Sequence, residues 1–191
     1  MNQLHDGNSR YYDGSDGGYH PLFDGMRSSS KGEGREQNGY ESGKKDAASI
    51  IANLARDPNN NIVESIKIVT HSMGGAYGKG FVRALKEYIK TLPIEKQKQI
   101  LISLVADFDP FQAGDITADP NIKTLQFKHK NNANIFGMGW LANEDEKGLG
   151  TDNVKTNTGT STDHSIFTFF NDISSLQEGS YKWDGKQWVL Q

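Results

Sequence analysis

The chain reads as an α/β protein, a mostly parallel sheet flanked by helices, and three stretches carry that reading. Ile66 to Val69 is a short apolar run that passes through Thr70-His71-Ser72-Met73-Gly74-Gly75 into helical periodicity, with Phe81, Leu85, Ile89 and Leu92 on one face. Ile100 to Ala106, ILISLVA, is a continuous apolar run of the kind found in central parallel strands. Asp46 to Arg56 precedes both, with Ala47, Ile50, Ile51, Leu54 and Ala55 forming a helical stripe that ends at Pro58 and the asparagines 59–61. Helices alternating with buried strands imply crossover connections and hence parallel pairing.

Taken in order, residues 1–44 are polar and rich in Gly, Ser, Asp and Tyr, with no strand or helix pattern, so a surface loop or flap is expected there. A helix over 46–56 and a strand at 66–69 follow. The next helix runs to about Thr91, where Pro93 stops it. Gly78 and Gly80 weaken this helix by roughly 1 kcal/mol each relative to Ala; close approach to the sheet is the expected compensation. Lys86 and Tyr88 should face solvent. After the ILISLVA strand come Asp107 and Asp109, two carboxylates just past a strand's C-terminal end, where sites form in open α/β sheets. Ile122 to Lys128 alternates imperfectly and reads as a strand near the sheet edge, ended by His129. A lone histidine there is more often a hydrogen-bonded residue than a base. Asn131 to Thr162 reads as loop around an apolar island, Ile135 to Leu141, which suits a cluster under a loop better than an acyl pocket. Thr162 or Asp163 is a natural N-cap for a last helix that buries Ile166, Phe169, Phe170, Ile173 and Leu176. Asp184-Gly185 between Trp183 and Trp188 signals a C-terminal β-hairpin. The expected organisation is a loop segment over 1–44, a catalytic-type α/β domain over 45–176 and a hairpin over 177–191.

Composition narrows the function. The 191 residues carry a net charge of −3 with no basic block, which argues against nucleic acid as a ligand. There is no cysteine, so neither disulfides nor thiol chemistry contribute. No apolar run is long enough to span a bilayer. The opening residues MNQLHDGNSR lack a signal-peptide pattern, and localisation stays open. Asp and His are scattered without zinc-ligand spacing, so neither metal nor cofactor is expected.

The turn at Ser72 has its own physics. A serine between a buried strand and a helix sits in a strained backbone, and small residues must flank it to avoid the strand and helix. Gly74 meets that demand; Thr70 meets it only in part. The turn also aims backbone N–H groups, chiefly that of Met73, at the space above the serine beside a positive helix N-terminus.

His71-Ser72-Met73-Gly74-Gly75 resembles the HSMGG nucleophile elbow of the α/β-hydrolase superfamily, in its lipase and esterase branch, over roughly residues 46–176. The resemblance implies a minimal or truncated α/β-hydrolase-like fold and a serine hydrolase acting on a small-molecule or lipid ester. Ser72 would be the nucleophile and His164, at the end of a loop before the last helix, the base. Asp109, whose Asp-Pro step is similar to the one ending the corresponding strand in some lipases, or Asp107 would be the acid. Met73 would supply an oxyanion N–H. Serine, acid and histidine occur in the superfamily's chain order. His5-Asp6-Gly7-Asn8 is similar to the loop that gives the second oxyanion donor, but lacks its preceding strand. The hairpin is similar to those on bacterial cell-surface repeat proteins and is expected to dock on the domain or mediate attachment. A sheet that is truncated would by analogy suit an effector domain within a longer secreted or cell-surface polypeptide. The rival reading from another class is a binding or structural module that keeps the fold without the chemistry.

Overall fold

Residues 33–52 form helix α1, and their start is earlier than the sequence suggests. Gly39 and Gly43 read as loop formers, yet both lie in the helix because its neighbour leaves no room for a side chain. A Cβ on Gly39 would stand 1.9 Å from the Tyr77 carbonyl oxygen. Glu33 and Glu36 in the first turn complement the helix dipole. The helix ends at Ala52, so Leu54 packs as part of the following turn and Ala55 is exposed. The computed structural model describes residues 9–15, 32–129, 144–150, 153–157, 165–174, 176, 181–183 and 188–190.

Strand β1 (Ile66–His71) leads into helix α2 (Gly74–Thr91), as the switch of apolar period implies. Pro93 follows and opens the one-turn α3 (Ile94–Gln97). Strands β2 (Ile102–Phe108), β3 (Thr124–His129) and β4 (Val154–Asn157) complete a four-stranded sheet in the order β1-β2-β3-β4, every pair parallel. The fold is therefore of the α/β class. Strands β5 (Tyr181–Trp183) and β6 (Trp188–Leu190) form a separate antiparallel pair with Trp183 opposite Trp188; the intervening Asp184-Gly185 lies outside the described residues.

One expectation about the sheet is corrected. β3 lies near the edge as its pattern suggests, but the edge strand itself is β4, inside the stretch 151–162 that reads as loop. The sequence Val-Lys-Thr-Asn carries too little apolar signal to mark a strand. The polar residues of β3 that mimic an edge are buried and satisfied: Gln126 Nε2 donates to the Glu144 carbonyl at 2.9 Å, and Gln126 Oε1 accepts the Glu146 N–H at 2.9 Å.

One face of the sheet meets α2. Tyr77, Phe81, Val82 and Leu85 pack with Val105, Ile102 and Ile66; α1 adds Ala47 and Ile51, and the turn after it adds Leu54. Tyr88 joins this core in part, and Lys86 pairs with Asp119, so neither faces open solvent as expected. Gly80 meets α1 rather than the sheet: a Cβ there would lie 1.8 Å from the Glu36 carbonyl oxygen. On the other face Phe108 and Phe127 stack at 4.6 Å, and Phe169 tilts onto Phe108 at 5.2 Å. Each fully buried phenylalanine contributes on the order of 2–3 kcal/mol. Phe169 ends a 3₁₀ turn (Ile166–Phe169) that continues into α4 (Phe170–Ser174). The cap of this element is Ser165, whose Oγ accepts the Phe167 N–H at 3.3 Å; Thr162 and Asp163 lie outside the described residues. Phe170, expected inside, is exposed.

Candidate functional site

The C-terminal ends of β1, β2 and β3 lie side by side and carry Ser72, Asp109 and His129 in that order. Ser72 has φ 56° and Asp109 φ 41°, left-handed conformations that cost a non-glycine residue of order 1–3 kcal/mol each. Hydrogen bonds to the neighbouring strand and the following loop hold them there. The Ser72 N–H donates to the Phe108 carbonyl at 3.0 Å, and the Ser72 carbonyl accepts from Gly75 N–H at 3.1 Å and Phe111 N–H at 3.0 Å. The Asp109 N–H donates to the Phe127 carbonyl at 2.8 Å. Among the described residues, the Ser72 hydroxyl and the Met73 N–H enter none of the hydrogen bonds.

The elbow tolerates Thr70 because the space a glycine would leave there is left by others. The Thr70 methyl fills the notch at Gly78, where a Cβ would lie 2.6 Å from Thr70 Cγ2, and Gly74 faces the Thr70 Cβ. The threonine hydroxyl then finds a partner, donating to Asp107 Oδ1. The departure from the glycine-flanked pattern is thus compensated eight residues downstream.

The two aspartates sit two residues apart in different environments. Asp107 is fully buried under α2, where Lys79 Nζ lies 2.6 Å from its Oδ2. Asp109 is also fully buried, but at the strand's mouth. His129 grips both of its oxygens: the His129 N–H donates to Oδ1 at 2.9 Å, and Nδ1 lies 2.6 Å from Oδ2. The positive φ of Asp109 turns its side chain away from the alternation that places Asp107 beneath the helix. The His129 ring packs on Phe169 at 4.2 Å, and among the described residues its Nε2 has no hydrogen-bond partner.

His164 lies outside the described residues, as do His5 to Asn8 and the apolar island 135–141. Phe169, five residues after His164, stands directly on His129 and Phe108. Residues 9–15 cross the elbow from the other side. Arg10 donates to Ser49 Oγ at 2.9 Å, Tyr12 Oη to Asp46 Oδ2 at 2.8 Å, and the Tyr12 ring meets Phe81 at 4.7 Å. Burial and the Asp46 carboxylate push the Tyr12 phenol up to about 12. At the end of this strap Gly14 presses on Gly74: a Cβ on Gly14 would stand 2.5 Å from Gly74 Cα. Sequence reasoning missed the strap, because its contacts are made by isolated residues without periodicity.

A groove of about 390 Å³ follows β1 from Ser65 to His71 and is bordered by the strap, α1 and α2. Its apolar floor includes Ile50, Leu54, Ile68 and Phe81; Ser72 does not line it. Among the described residues no group of three or more His, Cys, Asp or Glu could hold a metal ion, and no helix is long and apolar enough to cross a membrane. No family model, curated protein or solved structure matches the chain.

Proposed function

We propose that the protein is a serine hydrolase that cleaves carboxylic esters through an acyl-enzyme, with Ser72 as nucleophile, His164 as base and Asp109 as acid. The observation that carries this reading is the left-handed Ser72 at the junction of a parallel strand and a helix, beside an acid on the adjacent strand's end. In this mechanism His164 takes the Ser72 proton as Oγ attacks the ester carbonyl, then returns it to the leaving alcohol. Water repeats the cycle on the acyl-enzyme. The Met73 N–H, at the start of α2, stabilises the tetrahedral oxyanion together with the helix dipole. The strap brings the Asp13-Gly14-Ser15 backbone to the same side of the elbow, where a second donor would act.

His129 serves here as a clamp on Asp109 rather than as the base. It sits two strands from Ser72, about 10 Å at ordinary strand spacing, and its Nδ1 is committed to the acid. By fixing both carboxylate oxygens it leaves the acid oriented for a second imidazole. Asp109 is preferred over Asp107 as acid because it lies at the mouth of β2 beside the end of β1, whereas Asp107 is held beneath the helix by Thr70 and Lys79.

The test is a pair of variants assayed on a short p-nitrophenyl ester. Asp109→Asn is expected to lower turnover about 10³- to 10⁴-fold with the fold retained, the scale seen when a triad acid is neutralised. Asp107→Asn is expected to lower stability by ~1–3 kcal/mol and turnover by no more than about tenfold. Turnover by Asp109→Asn within tenfold of the wild type would remove Asp109 from the triad.

A further inference from the structure

Beneath the elbow, three charged side chains from three separate elements meet away from water. The Lys79 side chain on α2 is 9 % exposed, and those of Asp107 on β2 and Glu146 in the segment 144–150 are fully buried. Lys79 Nζ lies 2.6 Å from Asp107 Oδ2 and 2.6 Å from Glu146 Oε2. β1 joins through the Thr70 hydroxyl on Asp107, and β3 joins through Gln126, which holds the backbone of Glu144 and Glu146. Of the charged groups around them, three are engaged elsewhere. Glu144 accepts the Gly114 N–H, Asp145 pairs with Lys128, and Lys86 pairs with Asp119.

One ammonium neutralises one carboxylate, so full ionisation would leave a net negative charge buried here. Burial, reinforced by the Asp107 charge, pushes the Glu146 carboxyl up to about 8. Burial pulls Lys79 down, but Asp107 and Glu146 outweigh it and the ammonium is held above its ordinary value.

We propose that Glu146 is the proton-holding member of a latch through which Lys79 positions the Ser72 elbow. With Glu146 carrying a proton, the Lys79 charge belongs to Asp107, and the chain Lys79–Asp107–Thr70 ties α2 to the end of β1 from below. When the proton leaves, the Glu146 carboxylate competes with Asp107 for the one ammonium, and the Lys79–Asp107–Thr70 tie between α2 and the end of β1 weakens. The role in turnover rests on the reading of Ser72 as nucleophile; the proton site itself does not.

The sign follows from linkage. An acid whose folded value is raised contributes stability that is complete below its ordinary range and is lost as pH rises through about 8. The experiment measures Tm of the full chain from pH 5 to 9.5, with kcat and KM for p-nitrophenyl acetate, for wild type and Glu146→Gln. Wild-type Tm should decline across this window relative to Glu146→Gln, which is neutral at this position throughout and should be the more stable above pH 8. Wild-type kcat should fall about tenfold between pH 7 and 9 with KM unchanged, and that limb should vanish in the variant. A Glu146→Gln curve parallel to wild type would overturn the latch. So would a Glu146 carboxyl carbon that titrates in the ordinary glutamate range in wild-type protein, a measurement independent of whether the variant folds. A Tm limb that vanishes in the variant while wild type turns over no ester leaves the proton site standing and removes Ser72 as nucleophile. Turnover with an unchanged Tm limb does the reverse.

Discussion

Ser72→Ala should abolish labelling by a fluorophosphonate probe and lower kcat/KM for p-nitrophenyl esters about 10⁴- to 10⁶-fold, with Tm unchanged or raised. The probe phosphonylates only a hydroxyl that a nearby base activates, so it reads the nucleophile directly and needs no knowledge of the substrate. Removal of a triad serine leaves only the rate that oxyanion stabilisation and binding supply, which sets the size of the loss. Stability should not suffer, because the Ser72 hydroxyl enters none of the hydrogen bonds among the described residues, and alanine fits the same left-handed turn at similar cost. His164→Ala should lose labelling to a similar extent. Undiminished labelling of Ser72→Ala would place the reactive hydroxyl elsewhere. A wild type that takes no label would favour the non-catalytic module.

Gly80→Ala is the substitution with the largest expected effect on the fold, a loss of about 3–4 kcal/mol and roughly 10 °C in Tm. Its new methyl would stand 1.8 Å from the Glu36 carbonyl, a backbone atom that cannot swing aside, and Gly39 presses Tyr77 as closely from the other helix. The helices would have to part, opening the contact that buries Ala47, Ile51 and Phe81. Gly34→Ala is the internal control. Gly34 lies in the facing helix α1 and is exposed, so the same added methyl should stabilise by ~0.5–1 kcal/mol through lost freedom of the unfolded chain. Chemical denaturation of both variants with unchanged m-values decides the matter. Equal small effects would mean that the helices are not packed glycine to backbone.

Much of the sheet was legible because its signals are local. The apolar period changes at Ser72, Pro93 stops α2, and β2 is apolar but for Ser103 until Asp107. What escaped depends on partners distant in sequence. Glycines 39 and 43 lower helix propensity, and only the presence of α2 explains why α1 runs through them. Val154 to Asn157 becomes a strand because β3 offers it a ladder, not because of its own side chains. Asp107 and Asp109 cannot be told apart by spacing, since the distinction lies in one positive φ and in the choice of Lys79 or His129 as partner. Lys79 did leave a trace: a lysine between two glycines on the packed side of a helix marks a charge in a confined place. Glu146 left none, in a stretch dense with acids.

The route by which the chain closes follows from where Phe169 sits. α1, β1, α2 and β2 are consecutive and pack on one another, so they can condense early with modest loop-closure entropy. Phe169 reaches Phe108 across sixty intervening residues, and the stretch that precedes it holds His164. During synthesis, therefore, the serine would reach its strained turn before the residue proposed as its base has been made. A nascent or truncated chain would be assembled yet chemically silent, and competence would arrive as a late event set by the docking of one aromatic ring.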